Sequence, residues 1–177
     1  LKGRPYEVYD TAGRVRVEYD FRGLVTEQMR TVIDDITTDA DWTGLETKAT
    51  ISAINSWVTT NGGLSSEDFT VESEYDAMGR ITEQTAPDTS ITTPGYDEGG
   101  RLTSVEVNIR GATSATSFVS EITYNARGQR TSITYGNNTS STYTYDAERL
   151  WLDTVQTTRS SSSSYGSATL QSLTFTR

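Results

Sequence analysis

The chain has 177 residues, a net charge of -9, no histidine and no cysteine. Such a charge leaves no basic stripe to neutralise phosphates, which excludes nucleic acid as a partner. Without histidine and cysteine the commonest general base, the commonest metal ligand and all thiolate chemistry are missing, so no catalytic, cofactor-binding or metal residue is expected.

Hydrophobic residues make up 33% of the chain, whereas Ser and Thr supply about three residues in ten. That balance favours strands with one wet face over thick helical packing. No apolar run reaches membrane-spanning length, and the first residues lack the charged and apolar blocks of an export signal. Leu1 opens the chain without a Met, and Leu173-Thr174-Phe175-Thr176-Arg177 reads as the start of a strand. The expectation is a single segment, residues 1–177, of a longer polypeptide.

From the N-terminus, a five-residue unit, Tyr-Asp-x-x-Gly, organises the sequence. Its first copies are Tyr9, Asp10 and Gly13, then Tyr19, Asp20 and Gly23. Asp at the first position of a type I turn can accept a bond from the backbone two residues on, and Gly at the fourth takes the positive φ that returns the chain to a strand. The unit thus predicts a hairpin turn with a glycine bulge. Its flanks agree, because Val15, Val17 and Tyr19 alternate with polar residues, the period of a strand buried on one face.

Residues 34–63 break the alternation and read as a partly helical insertion. Asp34, Asp35, Asp39 and Asp41 form an acidic loop, which lacks the Gly and Glu spacing of a calcium loop and reads as a solvated lead-in. Thr43-Gly44-Leu45-Glu46 has the form of a capping box, and Leu45, Ala49, Ile54, Trp57 and Val58 share one stripe. The spacing predicts one short helix near 44–59, stopped by Asn61-Gly62-Gly63.

The repeat then resumes at Tyr75, Asp76 and Gly79, and at Tyr96, Asp97 and Gly100. Tracts 89–95, with Pro94, and 111–117 read as loops. Degenerate copies follow at Tyr124, Asn125 and Gly128, and at Tyr145 and Asp146, where Ala147-Glu148-Arg149 brings no Gly and predicts a longer or irregular hairpin. Residues 159–166 form a Ser-rich loop. Glu72 and Glu74 share one strand face, the pattern of a solvent side rather than of a glycosidase pair held in an apolar pocket.

The block Tyr-Asp-x-x-Gly-Arg, as in Tyr75-Asp76-Ala77-Met78-Gly79-Arg80, resembles the YD repeats of the Rhs family, which includes Tc toxin C components, wall-associated bacterial proteins and teneurins. The likeness runs over nearly the whole chain. It implies an all-β fold, an antiparallel hairpin strip forming an arc of a hollow β-cocoon around a C-terminal toxin or effector. The implied partners are the remaining shell of the same protein or further copies, and an enclosed toxin polypeptide. The implied location is secreted or cell-surface. The family's self-cleaving core and variable toxin are not recognisable here, so no catalytic residue carries over. A second class, a surface adhesion or carbohydrate-binding module, is permitted by the Tyr and Trp content.

Overall fold

The computed structural model describes residues 3–161, 164, 166 and 168–176. Among them are twelve strands and one α-helix. The strands are β1 (Glu7–Asp10), β2 (Gly13–Tyr19), β3 (Val25–Ile33), β4 (Leu64–Tyr75), β5 (Ile81–Thr85), β6 (Ile91–Tyr96), β7 (Leu102–Asn108), β8 (Thr116–Tyr124), β9 (Arg130–Tyr135), β10 (Thr139–Tyr145), β11 (Leu152–Arg159) and β12 (Ala168–Thr174). Helix α1 (Ile51–Asn61) lies between β3 and β4 in the chain. The chain divides into two compact units, Leu1–Asp88 and Thr89–Arg177.

In the first unit each strand from β1 to β5 pairs antiparallel with the next. Alternation sets its two faces: Val15, Val17 and Tyr19 point one way, and Arg14, Arg16 and Glu18 the other. Val17 is buried, with Gln28 opposite it on β3 and Val71 beyond that on β4. Ile33 and Val58 of α1 are the other buried apolar residues of this unit.

The second unit runs from β6 to β12, antiparallel throughout its described pairs. Ile122 and Ile133 face one another across β8 and β9 and are both buried. Neither unit closes on itself, since β1 and β12 each have one neighbouring strand among the described residues. Hydrophobic stabilisation follows the apolar area removed from water, so burial this sparse gives a thin core.

Helix α1 begins later than the expected 44–59. Gly44 adopts φ 94, and the Glu46 carboxylate accepts from the N–H of Gly44 at 2.9 Å rather than from Thr43, so residues Leu45–Thr47 make a single 3-10 turn. The cap is instead Thr50, extended at φ -133, whose hydroxyl accepts from Ala53 N–H at 3.2 Å. At the other end Gly62 N–H donates to Val58 O at 2.9 Å, and Gly63 turns at φ 55.

Tract 89–95 is not a loop, because β6 starts at Ile91 and includes Pro94, which sits opposite Val105. Pairing with β7 outweighs a segment whose own strand signal is weak. Tract 111–117 likewise yields its last residues to β8, which starts at Thr116. The Ser-rich loop 159–166 falls between β11 and β12, and Ser162, Ser163 and Tyr165 lie outside the described residues.

Candidate functional site

The chemistry of this chain is concentrated in its turns. Asp20 N–H donates to Leu24 O at 2.9 Å and Gly23 N–H to Asp20 O at 3.0 Å, closing a three-residue loop with Gly23 at φ 86. The Asp76 and Gly79 turn has the same two bonds, at 3.0 and 3.1 Å. In the second unit the Asp97 and Gly100 turn and the Asn125 and Gly128 turn repeat them. Gly79, Gly100 and Gly128 lie at φ 80, 80 and 79, the left-handed region where glycine has no Cβ penalty.

One side-chain oxygen holds each loop. Asp76 Oδ1 accepts from Met78 N–H at 2.8 Å and Arg80 N–H at 3.0 Å, and Arg80 Nε donates to Oδ2 at 2.7 Å. Arg101 repeats both contacts on Asp97 at 2.8 Å. Backbone donation from Arg80 and from Arg101 is the main cause that holds these two carboxyls below the usual range; desolvation opposes it and the guanidinium adds to it. At Asn125 the ion pair is replaced by an amide pair, Asn125 Nδ2 donating to Gln129 Oε1 at 2.8 Å.

The tyrosines link successive hairpins. Tyr75 OH donates to Val25 O at 2.7 Å, and Val25 is the residue that faces Tyr19. Tyr124 OH donates to Leu102 O at 2.7 Å, and Leu102 faces Tyr96. Tyr145 OH donates to Arg130 O at 2.8 Å, and Arg130 faces Tyr124. Neighbouring turns also touch directly: Arg22 donates to Asp76 O at 2.6 Å, Gln129 to Leu150 O at 2.9 Å, and Arg101 lies 4.9 Å above the Tyr124 ring.

Two copies depart from this pattern. Tyr9, Asp10 and Gly13 bound a two-residue turn in which Asp10 pairs with Gly13 and no bulge follows. This turn stands at the opposite end of its sheet from those of Tyr19 and Tyr75, and Tyr9 shares a face with Arg14, not with Val15. Gly13, at φ 134, is required by close approach, because a Cβ there would lie 2.2 Å from Thr31 O. Arg30 grips Asp10 with two bonds of 2.7 Å, and that guanidinium lowers the Asp10 carboxyl to about 2.

The insertion docks on this first turn. Trp42 Nε1 donates to Asp10 O at 2.7 Å and Ala40 N–H to Thr11 O at 2.9 Å, while the Tyr9 and Trp42 rings lie 4.8 Å apart.

At the last copy, Asp146 N–H donates to Trp151 O at 2.8 Å and Leu150 N–H to Asp146 O at 2.9 Å, one residue longer than the other loops. Leu150 takes the left-handed position at φ 63 that glycine fills elsewhere.

Sequence reasoning missed a second bulge, on the strand beyond four of the turns. Across Tyr19, Tyr75, Tyr96 and Tyr124 the opposite strand carries one extra residue, Thr26, Thr82, Thr103 and Thr131 respectively. A threonine seven places after each tyrosine was the available signal.

Two acidic groups invite a catalytic or metal reading. A concavity of about 500 Å³ in the first unit is lined by Glu18, Asp20, Arg22, Glu27, Glu72 and Glu74 among others. Glu18 faces Glu27, Glu27 faces Glu72, and Glu72 and Glu74 are exposed, so no carboxyl sits in an apolar pocket. In the insertion, Asp35 accepts from Thr37 N–H at 3.0 Å and Asp41 from Thr43 N–H at 2.9 Å, both as turn-forming bonds. Among the described residues no group of three or more acidic side chains is placed to hold a metal ion. No helix among them is long and apolar enough to cross a membrane.

Residues 75–113, covering the turns of Tyr75 and Tyr96, match the family model described as RHS Repeat. The likeness is to the Rhs/YD-repeat family. The chain is 27% identical over 179 residues to the toxin subunit YenC2 of Yersinia entomophaga, covering 99% of its own length and 17% of that relative. It is 32% identical over 113 residues to YenC1 of the same organism, 64% of its length and 12% of that relative. Among solved structures, the crystal structure of TcdB2-TccC3-TEV superposes with a TM-score of 0.80 at 29% identity, covering 99% of this chain and 8% of that one. TcdB2-TccC3 without its hypervariable C-terminal region gives 0.80 at 28%, with the same coverage. The chain therefore spans under a fifth of the length of these relatives. Its likeness to them is of Tc toxin C-component type.

Proposed function

We propose that the chain is a stretch of wall in a secreted Tc-type toxin shell, one segment of a longer strip that encloses a C-terminal toxin or effector. The observation that carries this reading is the linkage between hairpins. The turns at Gly23, Gly100 and Gly128 are braced internally by their Asp or Asn and externally by the next tyrosine, as for Tyr145 on Arg130 O. Such units support one another along a strip, which is what a wall requires and what a catalytic cleft does not.

The sparse burial agrees, since a sheet with few buried side chains gains by pairing with more of its own kind. Its partners in this reading are the rest of that shell and the polypeptide inside it, and the chain itself carries out no reaction.

The test uses the full polypeptide that contains this chain. Electron microscopy should reveal a hollow particle, and a protease should spare its C-terminal part until the shell is opened with denaturant. A solid or extended particle whose C-terminal part is cut at once would overturn the proposal. Reproducible binding of the chain on a glycan array would favour an adhesion module instead.

A further inference from the structure

The two faces of the second unit differ in kind. One carries Ile122, Tyr124, Ile133, Tyr143, Tyr145 and Val155, with Ile122 and Ile133 buried. The other is built almost wholly of hydroxyls held in register across five strands. Thr123 faces Ser132, Ser132 faces Thr142, Thr142 faces Gln156 and Gln156 faces Ser172. A parallel row runs from Glu121 through Thr134, Ser140 and Thr158 to Thr169, and a third from Thr144 through Thr154 to Thr174.

Glu121, at the β8 end, is the one charged member of these rows; they contain no apolar side chain, and none of their residues is buried. Alternation alone does not demand this, because a wet strand face normally carries Lys, Glu and Arg. Several of the hydroxyls are satisfied by their neighbours: Thr123 and Ser132 lie 2.6 Å apart, Thr144 and Thr154 2.6 Å, and Ser140 and Thr158 3.2 Å. Their hydrogen bonds are thus partly spent within the lattice, leaving little for a polypeptide to compete for.

We propose that this hydroxyl face is a non-adhesive surface, the side that the wall turns toward enclosed polypeptide. The proposal rests on the shell reading for its purpose but is tested without it. Binding of non-native polypeptide draws on apolar area and opposite charge. A face with no apolar side chain in its rows and a single carboxylate at one end gives a chain little to be held by.

The experiment immobilises the chain and passes over it reduced, carboxymethylated lactalbumin, a permanently unfolded polypeptide. Three proteins are compared: the natural chain, a triple Thr142→Val, Thr144→Val, Thr154→Val variant, and the same three positions changed to Ser. Valine keeps the shape and the strand preference while exposing methyl groups in place of hydroxyls. The Val variant should retain the probe several-fold more than the natural and Ser proteins, which should match one another. Equal retention by all three, or retention by the Ser protein as strong as by the Val protein, would overturn the proposal.

Far-UV circular dichroism and melting curves establish that each protein is folded. Should the triple variant fail to fold, the single Thr142→Leu variant on the same column decides the matter by the same criterion. Because the three proteins differ only on this face, their comparison reads it alone, and a sticky face would sink the inference and leave the shell standing. A solid particle in the microscope would do the reverse.

Discussion

The hydroxyl of Tyr145 donates to the carbonyl of Arg130 at 2.8 Å, and Arg130 is the residue that faces Tyr124 across the preceding hairpin. Tyr124 in turn reaches Leu102, which faces Tyr96. A phenyl ring could cover the sheet equally well, so the hydroxyl is what makes tyrosine the repeated residue.

Removing that hydroxyl alone should therefore have a cost. Tyr124→Phe and Tyr145→Phe should each lose about 1 kcal/mol, the net worth of one hydrogen bond. Urea denaturation of the purified chain measures it. Two variants as stable as the parent would mean that the linkage contributes nothing.

Glycine positions should rank by what surrounds them. At Gly128 a Cβ meets nothing within 4 Å, so Gly128→Ala suffers only its left-handed φ of 79, on the order of 1 kcal/mol. At Gly136 a Cβ would fall 1.7 Å from Ser117 O, which forces the backbone of β8 to move. Gly136→Ala should be clearly the more damaging in thermal melts, and the opposite order would contradict the described packing.

Acid should loosen the turns. Arg30 lowers Asp10 to about 2, and Asp76 and Asp97 are held low chiefly by the backbone N–H groups of Arg80 and Arg101. Because folding depresses these values, the stability they add is complete above the unfolded value of about 3.9 and is lost as pH falls through the folded values. The melting temperature should drop from about pH 4 downward, the Asp10 contribution persisting to about pH 2. An Asp76→Asn, Asp97→Asn variant should show a shallower decline, and a slope equal to the parent's would refute this assignment.

The insertion should be held by its tryptophan. Trp42→Phe preserves the ring against Tyr9 but deletes the bond to Asp10 O, a loss of about 1 kcal/mol. Hydrogen exchange should then speed up at Ala40, whose N–H bonds to Thr11 O, while Gly128 and its turn stay unchanged. Uniform acceleration throughout the chain would argue against a locally docked insertion.

The local chemistry of this protein is legible in its sequence. Asp two residues before a bonded N–H and Gly with positive φ are properties of four or five consecutive residues, so the turns at Gly23, Gly79, Gly100 and Gly128 need no distant partner to be read. The same holds for the missing glycine after Asp146, where Leu150 is left to adopt φ 63.

What only the tertiary structure decided depends on register between hairpins. The motif at Tyr9 reads like the others, yet its turn lies at the other end of the sheet and meets the insertion, because the single strand β2 joins it to the turn of Tyr19 and consecutive turns of an antiparallel meander lie at opposite ends. The late start of α1 was settled by Gly44 and Thr50, where two capping signals competed and the backbone left-handed bend at Gly44 removed the first. The carbonyl that each tyrosine meets, and the rows of hydroxyls from β8 to β12, arise when strands far apart in sequence align, since a one-residue slip would send every side chain to the opposite face.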